Sequence, residues 1–127
     1  MLKKSAGKLC RFSNVEMVDK YGYDMYNICM ETIRFEWDEN KNIINQEKHG
    51  VSFEEAKTVF YDEFALLEYD KKNSGTEDRF RILGLSKKGN VLLVAHCTRE
   101  NDTIIRIISS RKATPNEKKG YERSRRS

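Results

Sequence analysis

Residues 78–112 read DRFRILGLSKKGNVLLVAHCTRENDTIIRIISSRK. Three runs rich in β-branched and large apolar residues, DRFRILGLS, NVLLVAHCT and TIIRIISSR, are parted by two short polar breaks. Alternation within each run marks a strand with one buried side. Lys88-Gly89 is short enough for a two-residue hairpin turn, and Glu100-Asn101-Asp102 supplies a three-residue one. Strands joined so tightly must run antiparallel.

These turns predict a register. With Lys87 opposite Asn90, Arg81 faces His96, Arg79 faces Thr98 and Leu83 faces Val94. The other side then sets Phe80 and Ile82 against Cys97 and Ala95, an apolar match suited to a core. The second loop continues the pattern, with His96 against Arg106, Ala95 against Ile107 and Cys97 against Ile105. One sheet face therefore gathers Arg79, Arg81, His96, Thr98 and Arg106. Guanidinium forks bind phosphate oxygens in pairs, and an imidazole can move protons near neutral pH. Like charges on neighbouring strands repel by about 0.2–1 kcal/mol, so a cationic cluster without interleaved carboxylates points to an anion. The alternative is a solvated outer face, which many antiparallel sheets possess. Cys97 reads as a small core hydrophobe or, alternatively, as a nucleophilic thiol.

Upstream, TIRFEW (32–37) reads as a strand, and Asp38 as the N-cap of a helix over about 39–48. That helix has mainly Ile43 and Ile44 to bury. In EKHGVSFEEA (47–56), Gly50 supplies a left-handed helix stop. A new start follows at once, with Ser52 as N-cap, Glu55 closing a capping box, and Val51 and Ala56 as a hydrophobic staple. The second helix runs to about Tyr61 and buries Phe53, Ala56, Val59 and Phe60. His49 sits in the last turn of the first helix, as punctuation that suits the helix dipole or as the edge of a binding site. FALLEYD (64–70) is a further strand and KKNSGTE (71–77) a loop. Thr114 and Pro115 open a last helix, basic toward its end. The order β-α-α-β-β-β-β-α gives an α+β domain over residues 33–127, an antiparallel sheet packed against helices. Residues 1–32 differ in character. They read as an N-terminal extension: an over-long start, with Met30 as a second one, or a docking helix carrying Val18, Tyr21, Met25 and Ile28.

Composition narrows the chemistry. The 127 residues carry a net charge of +4 with 35% charged side chains, which favours a polyanionic partner or merely a solvated basic surface. Three cysteines, Cys10, Cys29 and Cys97, form neither a disulfide framework nor a zinc motif, and suit a reducing cytosol. No run approaches a membrane span or a secretory signal. Carboxylates show no metal-binding grouping, and glycine-rich phosphate loops are absent, so neither metal nor cofactor is expected. Ser109-Ser110 lack a histidine partner at any catalytic spacing.

The runs FEWDENKN, NQEKHGVSFEEAKTVFYD, DRFRILGLSKKG, LLVAHCTRE and IRIISSRKATPNEKKGYE follow one another in order from about Ile33 to Tyr121. Together they resemble the BrnT toxins of bacterial type II toxin–antitoxin systems. Departures are small: Asp62-Glu63 stands where that family usually has Asp-Pro, and Ser110 where Ala is common. The resemblance implies a RelE-like fold and a cytoplasmic ribonuclease that blocks translation. It also implies a BrnA-type ribbon-helix-helix antitoxin, with promoter DNA engaged only through the toxin–antitoxin complex. The mechanism expected on the cationic face is metal-independent attack of a ribose 2′-OH on the adjacent phosphorus. His96 would act as base or acid, with Arg81 and Arg106 stabilising the phosphorane. Arg79 and Thr98 would position phosphate, Arg111, Lys112 and the last helix would hold RNA, Tyr121 could stack a base, and His49 would border the site. The competing reading is a non-catalytic basic module that docks an antitoxin or nucleic acid.

Overall fold

A computed structural model describes residues 33–100 and 103–126. The expectations for residues 1–32, and for Asn101 and Asp102 in the second hairpin loop, lie outside the described residues. The elements are β1 (Arg34–Glu36), α1 (Glu39–His49), α2 (Phe53–Thr58) with a 3-10 turn (Val59–Tyr61), β2 (Leu66–Tyr69), β3 (Arg79–Leu85), β4 (Val91–Arg99), β5 (Ile104–Lys112) and α3 (Pro115–Arg126). This is the α+β order that the sequence predicts. The five strands form one sheet in the order β1-β5-β4-β3-β2. It is not wholly antiparallel: β1 lies parallel to β5, with Phe35 beside Ile105. A parallel neighbour is reachable because β1 and β5 are separated by most of the chain, not by a tight turn.

Local caps form where short-range chemistry demands them. Asp38 accepts from the Asn40 amide at 2.8 Å, and Gly50 ends α1 at φ 68° with its N–H on Gln46 O at 2.9 Å. Ser52 Oγ accepts from Glu55 N at 3.1 Å. The Glu55 carboxylate goes elsewhere, accepting from Ser86 Oγ at 2.7 Å and Asn90 Nδ2 at 2.8 Å. The expected reciprocal box at Ser52 is therefore only half present, and Glu55 ties α2 to the β3–β4 hairpin. A full box forms at α3, where Glu117 N donates to Thr114 Oγ1 and Thr114 N donates to Glu117 Oε1.

Helix α1 inverts its expected burial. Ile43 and Ile44 are half exposed, whereas Asn42 and Asn45 are buried. Asn42 Oδ1 accepts from Phe53 N at 2.9 Å. Asn45 Nδ2 donates to Val51 O and Ser110 O, both at 2.8 Å, and Ser110 N donates to Asn45 Oδ1 at 3.1 Å. The helix is held by amides that satisfy backbone groups of α2 and β5, not by an apolar stripe.

The hairpin register departs from expectation by one residue. Phe80 lies opposite His96, Ile82 opposite Val94 and Gly84 opposite Leu92. The loop is Lys87–Gly89: Ser86 N donates to Asn90 O at 2.7 Å, and Gly89 takes φ 89°. A two-residue turn of the favoured type needs positive φ at both central residues, which Lys88 resists; a three-residue loop needs it only at the glycine. Between β4 and β5 the register also slips, since Ala95 faces Ser109 and His96 faces Ile107, leaving Ile108 as the extra residue of a bulge. The predicted pairs of His96 with Arg106, Ala95 with Ile107 and Cys97 with Ile105 are replaced accordingly.

The core lies between α1, α2 and one sheet face, built from Val51, Phe53, Ala56, Val59, Ile82, Val94, Ile105 and Ile107. A smaller cluster on the opposite face packs Tyr121 of α3 on Leu66 and Leu83. Gly84 permits a close approach in the core, because a Cβ there would meet Val59 Cγ1 at 2.9 Å and Ala65 Cβ at 3.0 Å.

Candidate active site

Parity decides which side chains share the sheet face that the described residues leave open beside α3. One row across the sheet runs Glu68, Arg81, Ala95, Ser109. The next runs Arg79, Cys97, Arg106, Glu36. Arg111 follows on β5, opposite Leu93. The predicted grouping of Arg79, Arg81 and Arg106 on one face is present, and Arg111 joins it.

His96 and Thr98 do not belong there, because the one-residue slip turns both toward the helix side. His96 is 1% exposed and lies against Phe60 and Phe80. Its Nδ1 is 3.3 Å from Val94 O, and burial pushes its pKa down to about 4. An imidazole sealed in this way has no route to a substrate, so its expected place beside Arg81 is corrected. Thr98 pairs with Ile105. Tyr121 is likewise buried; its hydroxyl donates to Asp62 at 2.5 Å, and burial with that bond raises its pKa. It packs α3 onto the sheet and offers no ring for a base. Lys112 is exposed at the end of β5. Cys97 points to the open face, not to the core between sheet and helices, yet has no exposed surface. Burial, then the Glu77 charge, pushes its thiol up, which disfavours a thiolate.

The open face is not the bare cationic patch that the sequence suggests. Glu68 is ion-paired with Arg81, Glu36 with Arg106 at 3.1 Å, and Glu117 grips Arg111 through two bonds of 2.8 and 3.0 Å. The carboxylates come from β1, β2 and α3, elements whose register to the arginine strands no local pattern reveals.

A cavity of about 410 Å³ opens on this face. Its floor is Ala95 and Ser109, two small residues in adjacent strands, with Leu93 beside them. Asp70, Asn73 and Arg81 bound it on the β2–β3 side, and Ser110, Arg111 and His49 on the β5 side. Asp70 is buried, and its bond from Asn73 at 2.9 Å, backed by the Arg81 and Arg79 charges, holds its pKa down against the opposing effect of burial. Arg81 Nε, a donor, and Ser110 Oγ are buried side-chain atoms with no hydrogen-bond partner among the described residues. The sequence reading missed Glu68, Asp70, Asn73 and Ala95; only Glu68, alternating within LLEY, carried a parity signal.

His49 reaches the cavity because Asn45, one turn earlier on the same helix face, is fastened to Ser110. The exposed basic side chains of α3 (Lys118, Lys119, Arg123, Arg125, Arg126) extend the positive surface. Among the described residues, no three His, Cys, Asp or Glu side chains gather as a metal site would, and no helix is long and apolar enough to cross a membrane.

Residues 37–117 match the family model of the ribonuclease toxin, BrnT, of type II toxin–antitoxin systems. The chain belongs to this family. Among solved structures it is similar to the Brucella abortus ribonuclease toxin BrnT, at 21% identity and a TM-score of 0.49, covering 65% of this chain and 99% of that one. No curated protein matches it. Family membership agrees with the resemblance carried by KHGVSFEEA and the RIISSRKAT run.

Proposed function

We propose that the protein is an endoribonuclease toxin that cleaves RNA in the cavity between Arg81 and Arg111. The carrying observation is that unpartnered donor, Arg81 Nε, on a residue lining a cavity floored by alanine and serine. Small floor residues leave room for a phosphate between strands, and a fixed guanidinium stabilises the charge that grows on a phosphorane. The ribose 2′ oxygen attacks phosphorus, the P–O5′ bond breaks, and a 2′,3′-cyclic phosphate and a 5′-OH result. Arg106 and Arg111 hold flanking phosphates by exchanging their carboxylate partners for phosphate oxygens, and Arg79 holds another from the same face. Lys112 and the basic residues of α3 supply salt-sensitive contacts along the strand. His96, Thr98 and Tyr121 serve the fold and not the reaction in this reading.

The reaction needs no metal in this reading, a view supported by the chemistry of the donor set: the carboxylates near the cavity are committed to arginines and to Asn73. Family membership supports an antitoxin partner, which we take to be a BrnA-type ribbon-helix-helix protein acting in the cytoplasm and carrying the complex to promoter DNA.

The test is cleavage of RNA by the purified protein in EDTA, with product ends identified. Cyclic phosphate and 5′-OH ends are expected, and Arg81→Ala should slow cleavage at least about tenfold. Intact RNA with retained binding would instead mark a non-catalytic basic module.

A further inference from the structure

The fold separates the two histidines of the chain, His49 and His96. His96 is shut inside between Phe60 and Phe80. His49 is exposed and lines the cavity that holds Arg81 and Arg111. Among the described residues, the other proton carriers on this face are engaged. Glu68 is paired with Arg81, Glu36 with Arg106 and Glu117 with Arg111, while Asp70 accepts from Asn73. Tyr121 is bonded to Asp62 and Cys97 has no exposed surface. No hydrogen bond holds the His49 ring to another described residue.

We infer that His49 is the general base of this site, taking the proton from the ribose 2′-OH. The assignment rests on the ribonuclease reading above. In the step, the 2′ O–H bond breaks and its proton passes to the imidazole as the O2′–P bond forms. The P–O5′ bond breaks, and the departing 5′ oxygen takes a proton from solvent water. The imidazolium then returns its proton to the hydroxide so formed, which restores both.

Placement rather than mere proximity supports the role. A base must be held within reach of the proton it takes. His49 lies one helical turn beyond Asn45, whose amide makes three bonds, two to Ser110 and one to Val51, so the last turn of α1 is pinned to the cavity rim. The charges facing the ring across the cavity are Asp70 from the loop after β2, Arg81 from β3 and Arg111 from β5, with Lys48 on its own helix. Two guanidinium groups beside the base steady the anion that its action creates.

The experiment is the pH dependence of RNA cleavage in EDTA by the full chain, by His49→Gln and by Ile44→Ser. Ile44 is half exposed on the same helix and should leave the rate unchanged. Wild-type rate should fall on the acid side as imidazole protonates. His49→Gln should be slowed at least about tenfold, lose that acid limb and recover part of the rate with added imidazole. Urea unfolding checks that the variant is folded; because His49 is exposed, its midpoint should match wild type. A folded His49→Gln that retains the acid limb, at whatever rate, overturns the assignment, and so does a wild type without one. No cleavage by wild type at any pH overturns the ribonuclease reading itself and takes this assignment with it. Cleavage that depends on Arg81 but not on His49 overturns the assignment alone.

Discussion

Phe80 and His96 lie opposite each other on β3 and β4, with rings stacked at 25° and centroids 6.0 Å apart. This pairing makes His96 a structural residue whose neutral form the core requires. Its folded pKa is about 4 against an ordinary 6.5, so above pH 6.5 both folded and unfolded chains hold it neutral. Below 6.5 the unfolded chain takes a proton that the folded one refuses, and stability falls until about pH 4. At about 1.4 kcal/mol per unit, the drop across that window is on the order of 3 kcal/mol. Urea unfolding from pH 7 to 4 should show this slope, and His96→Leu should flatten it. An unchanged slope in that variant would remove His96 as the cause.

Asn45 closes three backbone groups with one side chain. Asn45→Ala leaves Val51 O, Ser110 O and Ser110 N buried without those partners, and should cost about 2–4 kcal/mol. Its isoleucine neighbours are the contrast. Ile43→Ser or Ile44→Ser should change unfolding free energy by less than about 0.5 kcal/mol, since both side chains face solvent.

Gly84 tests the packing between β3 and the turn after α2. Gly84→Ala brings a methyl to 2.9 Å from Val59 Cγ1 and 3.0 Å from Ala65 Cβ, both in the core. Overpacking of this kind should destabilise by about 1–3 kcal/mol, read as a lower thermal midpoint. The same change at Gly120, where nothing lies within 4 Å, should be neutral or stabilising within the helix.

Electrostatic binding by α3 predicts a salt signature. Replacing Lys118, Lys119 and Arg123 by alanine should weaken RNA binding at low salt and reduce the slope of log affinity against log salt by about 0.7 per lost single-strand phosphate contact. Filter binding at several salt concentrations reads this directly. A parallel shift without a change of slope would place the RNA elsewhere.

Much of the fold is legible in the sequence because its signals are local. Asp38, Gly50, Ser52 and Thr114 act on backbone groups within three or four residues, and each caps the helix end expected of it. The site is less legible because a sheet face depends on parity, and parity depends on loop length. One residue in the Lys87–Gly89 loop exchanges His96 for Ala95 beside Arg81. Arginines at 79, 81 and 106 kept their common face because the β3 slip and the altered β4–β5 register compensate across β4. The carboxylates that neutralise them come from β1, β2 and α3, and nothing in the arginine strands announces those neighbours. Likewise, Ile43 and Ile44 look like the buried side of α1 by hydrophobicity, but the backbone edge that α1 meets calls for amides.

That edge has a consequence beyond holding a helix. Among the described residues, β1 pairs with β5 along Ile104–Arg106, and farther along β5 no described strand covers its outer rim of peptide groups. Such a rim is a template on which a strand from another molecule can add. The Asn45 amide occupies both outward groups of Ser110, acting as a one-residue substitute for a neighbouring strand. A side chain in α1 thus closes the sheet at this point of its border, and loss of that amide uncovers both groups for another strand.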